Sequence, residues 1–367
     1  MRLTGSKDKA KTKQRRPMWF RSLFPVLRYL VVTIFVVHLF QQASTLYRPP
    51  LNPYETEAKR KDIDLPDANA IVTPLSRAEQ DAWIRTNFKA ADPALQEWCT
   101  SALLEGTHWG SAKYDGGAQY SQDSFLARNV FFESWVRKNR KGFYVEAGAN
   151  NYKHLSSTYF YEKCLGWEGL CVEPQQQYHA ELSQHRSCAL VPMCLTKERS
   201  QMMLGGLPHR RGAGMFVRPL PPDGKLPVNE TTHKGQPIHW ELIECAPLGE
   251  ILRKFAPGRT HVDHFVLDVE GAEMTVLDTI EWGGNAVDSD SRAGISFAAL
   301  QIEVEHMVAK TKEKLTNDML ERGYERAHDL GIDFIFVPKK GHGQATMGLG
   351  DHPVVWTPKH LRGKHGS

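Results

Sequence analysis

The sequence repeats one short pattern, in which a buried apolar run ends in small or acidic residues and a helical stretch follows. The runs are Gly142–Asn150, Gly169–Pro174, Cys188–Thr196, His264–Gly271 and Ala299–His306. Short runs of this kind predict buried strands, and strands that alternate with helices predict a parallel sheet covered by helices on both faces. The chain is therefore predicted to contain an α/β domain, which closes with an antiparallel-looking strand pair around Gly331.

Dense apolar patterning extends over residues 119–340, which are predicted to form this domain. The composition, 41% hydrophobic and 24% charged, is that of a globular protein and excludes a fully disordered or fibrous chain. Residues 48–118 mix prolines, charges and short helical patches, and are predicted to be a stem. Residues 200–240 are predicted to be an irregular insertion, in which Leu207–Pro219 is either a lid or acceptor loop or a surface insertion without a role, and residues 341–367 are predicted to be a flexible tail.

The N-terminal segment predicts a membrane anchor. Residues 1–28 carry nine Lys or Arg against one acid, and the apolar run 29–47 follows them. A run of that length can span a bilayer, and the positive-inside rule places the basic tail in the cytosol. The prediction is a single-pass type II membrane protein of the Golgi or endoplasmic reticulum with a lumenal domain; a cleaved signal peptide and a transit peptide remain alternatives.

The formal net charge of +4 comes from that basic tail, because the remainder is near neutral to slightly acidic. A nucleic-acid partner is therefore not predicted, since such a partner requires basic residues clustered on the folded domain.

Six cysteines bear on the compartment: Cys99, Cys164, Cys171, Cys188, Cys194 and Cys245. An even number is compatible with lumenal disulfides, but the spacing fixes no connectivity. Cys171 and Cys188 lie in apolar runs and are equally compatible with free thiols in the core. Asn229 begins an Asn-Glu-Thr sequon and is the predicted N-glycosylation site.

The residues that follow the predicted strands are the candidate site. Ligands of open parallel sheets bind beyond the carboxyl ends of the strands. The candidates for cofactor binding at these ends are Gly148, Ala149, Asn150, Glu173, Pro174, Leu195, Thr196 and Asp268, and Glu270 lies beside Asp268. Small residues after the first strand let the backbone approach a ligand closely. Glu173, at the end of the second strand, is predicted to accept hydrogen bonds from ribose hydroxyls.

Four motifs, "FYVEAGANNY", "GWEGLCVEP", "VLDVEGAEMTVLDTI" and "LQIEVEH", resemble the FkbM family of S-adenosylmethionine-dependent methyltransferases over about residues 125–338. The resemblance implies a Rossmann-like fold with a mostly parallel seven-stranded sheet, and S-adenosylmethionine as cofactor. It also implies a cofactor loop at Glu146, Gly148 and Asn150, Glu173 as the ribose acid, and a wall between cofactor and acceptor formed by Asp268, Glu270 and Gly271.

A methyltransferase of this kind would pass a methyl group to an oxygen by in-line displacement. The candidate general bases are Asp268 first, then Glu270, His154 and His306. Glu273, in the first turn of its helix, is assigned to the helix dipole.

Asp268, Glu270 and Glu303 could also hold a divalent metal, but a metal-free site is the preferred interpretation.

The acceptor implied by the resemblance is a hydroxyl on a glycan, glycolipid or metabolite in the secretory pathway. The alternative function is a catalytically idle protein of this fold that acts in membrane trafficking or protein interaction.

Overall fold

The computed structural model describes residues 74–107, 116–206, 216–232, 234–283 and 294–339. The predicted cytosolic tail, the membrane anchor predicted at residues 29–47 and the predicted C-terminal tail lie outside these ranges. In the described part of the chain, no helix combines the length and the apolar character needed to cross a membrane. All described residues belong to one compact unit.

The helices of this unit are α1 Arg77–Asn87, α2 Gln96–Glu105, α3 Gln122–Asn129, α4 Tyr159–Leu165, α5 Gln176–His185, α6 Leu248–Phe255, α7 Glu273–Leu277 and α8 Ala309–Glu321. A 3-10 turn at Pro93–Leu95 and a π-helical turn at Phe132–Val136 complete the helical structure. The strands are β1 Gly117–Ala118, β2 Phe143–Ala147, β3 His154–Leu155, β4 Glu168–Val172, β5 Ala189–Val191, β6 Cys194–Leu195, β7 Ser200–Gly206, β8 Phe216–Pro219, β9 His239–Ala246, β10 His261–Leu267, β11 Ser296–Glu303, β12 Tyr324–Leu330 and β13 Asp333–Pro338.

Seven strands form the main sheet in the order β12-β13-β11-β10-β2-β4-β5. The five strands from β11 to β5 pair in parallel, whereas β13 is antiparallel to both β11 and β12. The predicted α/β class is thus confirmed, with a mixed sheet. The register pairs Leu267 with Ala147 and Ala147 with Val172, so that β10, β2 and β4 end at the same edge.

Helices cover both faces of this sheet because successive strand residues point to opposite sides. In β2, Tyr144 packs into a core with α3 and α4, whereas Phe143 and Val145 pack into a second core with α6 and α8. Every residue of β2 is buried. This double burial explains why the strand reads as a continuous apolar run rather than as an alternating one.

The two helices in the predicted stem belong to the compact unit. In α1, Ile84 is buried, and in α2 Cys99 and Leu103 are buried, all in the same core as α3 and α4. A disulfide also joins Cys99 to Cys164 at the end of α4. The domain boundary expected at residue 119 is therefore too late, because the apolar faces of these helices find their partners in the domain.

The insertion expected to be irregular contains strands. β7, β8 and β9 form a second sheet with β6, in the order β6-β9-β7-β8. The predicted third strand, Cys188–Thr196, is divided between the two sheets: β5 lies in the main sheet and β6 in the small one. Pro192 stands between them, and its missing amide hydrogen cannot continue a ladder.

The six cysteines form three disulfides: Cys99–Cys164, Cys171–Cys188 and Cys194–Cys245. The free-thiol interpretation of Cys171 and Cys188 is therefore wrong. Their Cα atoms lie 5.7 Å apart, within the range that a disulfide bridges. The sequence could not reveal this pair because it depends on the pairing of β4 with β5.

Candidate active site

The candidate residues after β2, β4 and β10 meet at one edge of the main sheet. The Gly148 amide donates a hydrogen bond to the Val172 carbonyl, at 3.0 Å, and the Asp268 amide donates to the Ala147 carbonyl, at 3.1 Å. These two bonds extend the pairing of β2 with β4 and of β10 with β2 by one residue beyond the strand ends. The structure thus brings Gly148, Glu173 and Asp268 together, as expected for parallel neighbours.

Two adjoining cavities open at this edge. The first lies between the main sheet and the small sheet, and its lining is mostly apolar or small: Ala147, Val172, Pro174, Met193, Leu195, Met202, Leu204, Val217 and Ala272, with Glu173, Gln175 and Thr196 as polar members. The second is polar and contains the carboxylates of Glu146, Asp268, Glu270, Glu303, Glu305 and Asp333. Gly148, Asn150, Asp268 and Glu270 line both cavities.

Gly148 stands where the two cavities meet and has no room for a side chain. Its φ is +86°, a conformation that favours glycine. A Cβ added there would lie 2.0 Å from the Asp268 carbonyl oxygen. The close approach of the two loops therefore requires glycine at this position.

Glu173 lies at the polar end of the first cavity and is 1% exposed. Its carboxylate accepts hydrogen bonds from the backbone amides of Asn150, at 2.7 Å, and Gln175, at 2.8 Å. Burial raises the pKa of Glu173 to about 7, although both amides oppose the shift. The amides fix the carboxylate in place, and each of its oxygens keeps a lone pair for a ligand.

The second cavity contains a carboxyl pair, Asp268 and Glu303. Asp268 is exposed to water inside the cavity but enclosed by protein on its other sides. The pKa of Asp268 is raised well above its ordinary value, mainly by this enclosure and secondly by the nearby Glu303 carboxyl. Burial likewise raises the pKa of Glu303 to about 7. A carboxyl group with a raised pKa is suited to accept a proton near neutral pH.

Asp333 belongs to the same cavity and was not among the site residues predicted from the sequence. It is the first residue of β13, opposite Glu303 in the antiparallel register. Its carboxylate accepts hydrogen bonds from the Nε2 atoms of Gln122 and Gln301, and burial raises its pKa to about 7. Only strand ends were considered in the sequence, and β13 presents its beginning at this edge because it runs the other way.

Glu146 has a structural task that differs from the predicted cofactor contact. It accepts hydrogen bonds from Ser156 Oγ, the Ser157 amide and Thr158 Oγ1, at 2.7 to 3.0 Å. The buried Arg186 guanidinium lies 3.4 Å from Glu146 Oε2. Glu146 is therefore occupied with holding the turn before α4, and it lines only the second cavity.

Of the other candidate bases, His154 is exposed and lines neither cavity, so the structure does not bring it to the site. Glu270 and His306 both line the second cavity, with Glu270 Oε2 3.3 Å from His306 Nε2. Ala149 also lines the second cavity only.

Glu273, assigned in the sequence to the helix dipole, has a more specific contact. Its Oε1 accepts from the amides of Val269 and Gly271, both at 3.1 Å. This contact fixes the turn that carries Asp268 and Glu270.

Comparison with known proteins bears on the same residues. A family model described as the methyltransferase FkbM domain matches residues 146–326, which include the ends of β2, β4, β10 and β11. A comparison with curated proteins finds no match, and a comparison with solved structures finds none either. Methyltransferases of this family generally use S-adenosylmethionine. The resemblance seen in the sequence is confirmed: residues 146–326 match the FkbM methyltransferase domain.

Proposed function

We propose that this chain is an S-adenosylmethionine-dependent methyltransferase that methylates a hydroxyl group. The observation that carries the proposal is the junction of two unlike cavities at Gly148, Asn150, Asp268 and Glu270. A methyl transfer needs a donor and an acceptor held in line, and two cavities that share a wall provide that arrangement.

The first cavity fits S-adenosylmethionine. Glu173 would accept hydrogen bonds from the ribose hydroxyls, and Met193 and Leu195 offer an apolar surface to the adenine. The missing side chain at Gly148 lets backbone approach the bound molecule closely. When bound, S-adenosylmethionine supplies a methyl group on a positively charged sulfonium, a charge that the neighbouring carboxylates favour.

Asp268 is our candidate for the general base. It faces the second cavity from the shared wall, and its raised pKa makes it a stronger base than an ordinary carboxylate. As the acceptor oxygen takes the methyl group, Asp268 takes the proton that the hydroxyl loses, and the sulfur keeps the electrons of the broken carbon–sulfur bond. The polar lining of the second cavity suits a hydroxyl-rich acceptor such as a glycan, glycolipid or metabolite.

We further propose that the domain is lumenal and that the chain is a type II protein of the Golgi or endoplasmic reticulum. Three disulfides support an oxidising compartment. Asn229 supports it as well, because it is exposed and accessible for glycosylation.

Isothermal titration of the full chain with S-adenosylmethionine and with its demethylated product tests the proposal. We expect both to bind at one site. A glycan library screened for incorporation of tritium-labelled methyl groups then searches for the acceptor. If neither cofactor form binds a folded chain, the proposal is wrong and the idle, interaction-based function is favoured.

A further inference from the structure

We propose that the second cavity binds a divalent cation through Glu303, Glu305 and His306. These residues follow one another at the end of β11, and one ligand atom from each lies within 4.8 Å of the others. Two carboxylates and one imidazole are ligands that Mn²⁺ and similar cations accept. The metal ligands considered from the sequence, Asp268, Glu270 and Glu303, share only Glu303 with this set, and a metal-free site is the interpretation that the sequence alone favours.

An independent observation points to a ligand at this place. Glu303 is only 6% exposed, and among the residues that the structure describes none donates a hydrogen bond to its Oε2 atom. Gln301 lies two residues before Glu303 on β11 and lines the same cavity. Its buried Oε1 atom has no hydrogen-bond donor in the described ranges either. Buried oxygens without a donor are unfavourable, and each requires a partner that the described protein atoms do not supply.

The surroundings favour an inorganic cation. Six carboxylates line the second cavity, and its described lining contains no Lys or Arg to balance them. It also contains no Phe, Tyr or Trp. Organic ammonium groups are usually bound by aromatic rings, so a metal ion is the better occupant.

Glu270 completes the arrangement from the neighbouring loop. Its Oε2 lies 3.3 Å from His306 Nε2. Histidines that bind metals commonly donate their second ring N–H to a carboxylate, which orients the imidazole. Glu305 and His306 are exposed, so the site stays open to water and to an acceptor on one side.

This inference rests on the proposed function and gives it a substrate class. A cation at the end of β11 would lie in the acceptor cavity, where it can bind an acceptor hydroxyl and make its proton easier to lose. The proton then passes to Asp268 while the oxygen takes the methyl group. Two neighbouring hydroxyls of a sugar could bind the cation together, which favours a vicinal diol as acceptor.

The test is a titration of the chelator-treated full chain with Mn²⁺, in which the electron paramagnetic resonance signal of free Mn²⁺ measures how much is bound. We expect one site, and we expect Glu305→Gln and His306→Ala each to weaken binding by at least about tenfold. Mn²⁺ should also raise the melting temperature of the parent but not of the variant that carries both Glu305→Gln and His306→Ala. Glu325→Gln and His239→Ala change exposed residues away from the cavity and should bind Mn²⁺ like the parent.

Mn²⁺ binding that is absent, or unchanged in both cavity variants, overturns the cation site. Glu305 and His306 are exposed, so both variants should fold, and circular dichroism checks this. Titration with S-adenosylmethionine in the presence of chelator separates the two proposals. Cofactor binding without Mn²⁺ binding removes the cation site alone, whereas Mn²⁺ binding without cofactor binding removes the proposed function.

Discussion

The two cavities share a wall but are built from different materials. The first is lined largely by apolar side chains and contains one buried acid, Glu173, held by two backbone amides. The second contains six carboxylates, of which Asp268 has its pKa raised by enclosure and by the nearby Glu303, and Glu303 has its pKa raised by burial. The difference suggests two roles: the first cavity binds a ligand through its shape, whereas the carboxylates of the second bind positive charge and accept protons.

Substitution of the shared wall should have the largest effect, since it damages both cavities. In Gly148→Ala, the new Cβ meets the Asp268 carbonyl oxygen at 2.0 Å, and that backbone atom cannot move without disturbing β10. We expect loss of cofactor affinity by more than about a hundredfold, along with a lower melting temperature. Titration and thermal melting measure the two effects.

Gly224→Ala is the matched control, because Gly224 also has a positive φ but has nothing within 4 Å of an added Cβ. It should cost only about 1 kcal/mol of stability and no affinity. If Gly148→Ala behaves like this control, the two cavities do not depend on a tight junction.

Asp268→Asn should separate the cavities by function. The amide keeps the shape and removes the charge, which also relieves repulsion with Glu303. We expect cofactor affinity and melting temperature to stay near those of the parent, while turnover falls by about a hundredfold or more if Asp268 is the base.

Asp278→Asn, at the exposed end of α7, is the control. If Asp268→Asn turns over at the parent rate, Asp268 is not the base, and Glu270 becomes the next candidate. Failure of this variant to fold would instead assign Asp268 to structure.

Glu173→Ala should have the reverse pattern. Among the residues that the structure describes, Glu173 is the only carboxylate that lines the first cavity alone, and its removal leaves the amides of Asn150 and Gln175 without their acceptor. Loss of a hydrogen bond to a charged group costs about 1.5 to 3 kcal/mol, or roughly tenfold to a hundredfold in affinity. Glu313→Ala, on the exposed side of α8, should change nothing. Parental cofactor affinity in a folded Glu173→Ala chain would contradict the assignment.

The free energy of unfolding should depend on pH in a way that reflects the titration of Glu173. Its pKa is near 4.5 when unfolded and about 7 when folded, so its stabilising contribution is complete below pH 4.5 and is lost as the pH rises through 7. The loss amounts to at most about 3 kcal/mol. Denaturant melts of the cofactor-free chain at pH 5 and pH 8 should show it, and Glu173→Ala should reduce the slope. A slope unchanged in that variant would mean that the carboxyls of the second cavity alone produce it.

The first cavity was also the easier one to predict from the sequence. Gly148 and Glu173 follow β2 and β4 along the chain, and the rule for parallel sheets places them at one edge, where the structure brings them together. The second cavity depends on strand direction: Asp333 reaches the edge because β13 runs antiparallel to β11. The sequence of β13, "DFIFVP", does not indicate that the strand is antiparallel to its neighbours.

The wall that the small sheet gives the first cavity was missed for a similar reason. Met202, Leu204 and Val217 lie in β7 and β8, inside a stretch rich in glycine, proline and charge. They reach the cavity through antiparallel pairing and through the Cys194–Cys245 disulfide, neither of which local spacing reveals.

Asn229→Gln should have the smallest effect on the molecule, and it tests the compartment that both cavities would occupy. Asn229 is exposed, has a φ of +64° and lines neither cavity, so its replacement should leave cofactor affinity and turnover unchanged. In membrane-expressed parent, glycosidase treatment should lower the apparent mass, and Asn229→Gln should remove that shift. A parent whose mass does not respond to glycosidase, or whose domain is cut by protease added from the cytosolic side, would contradict the lumenal location. The three disulfides would then have to form in a reducing compartment, where such bonds are rare.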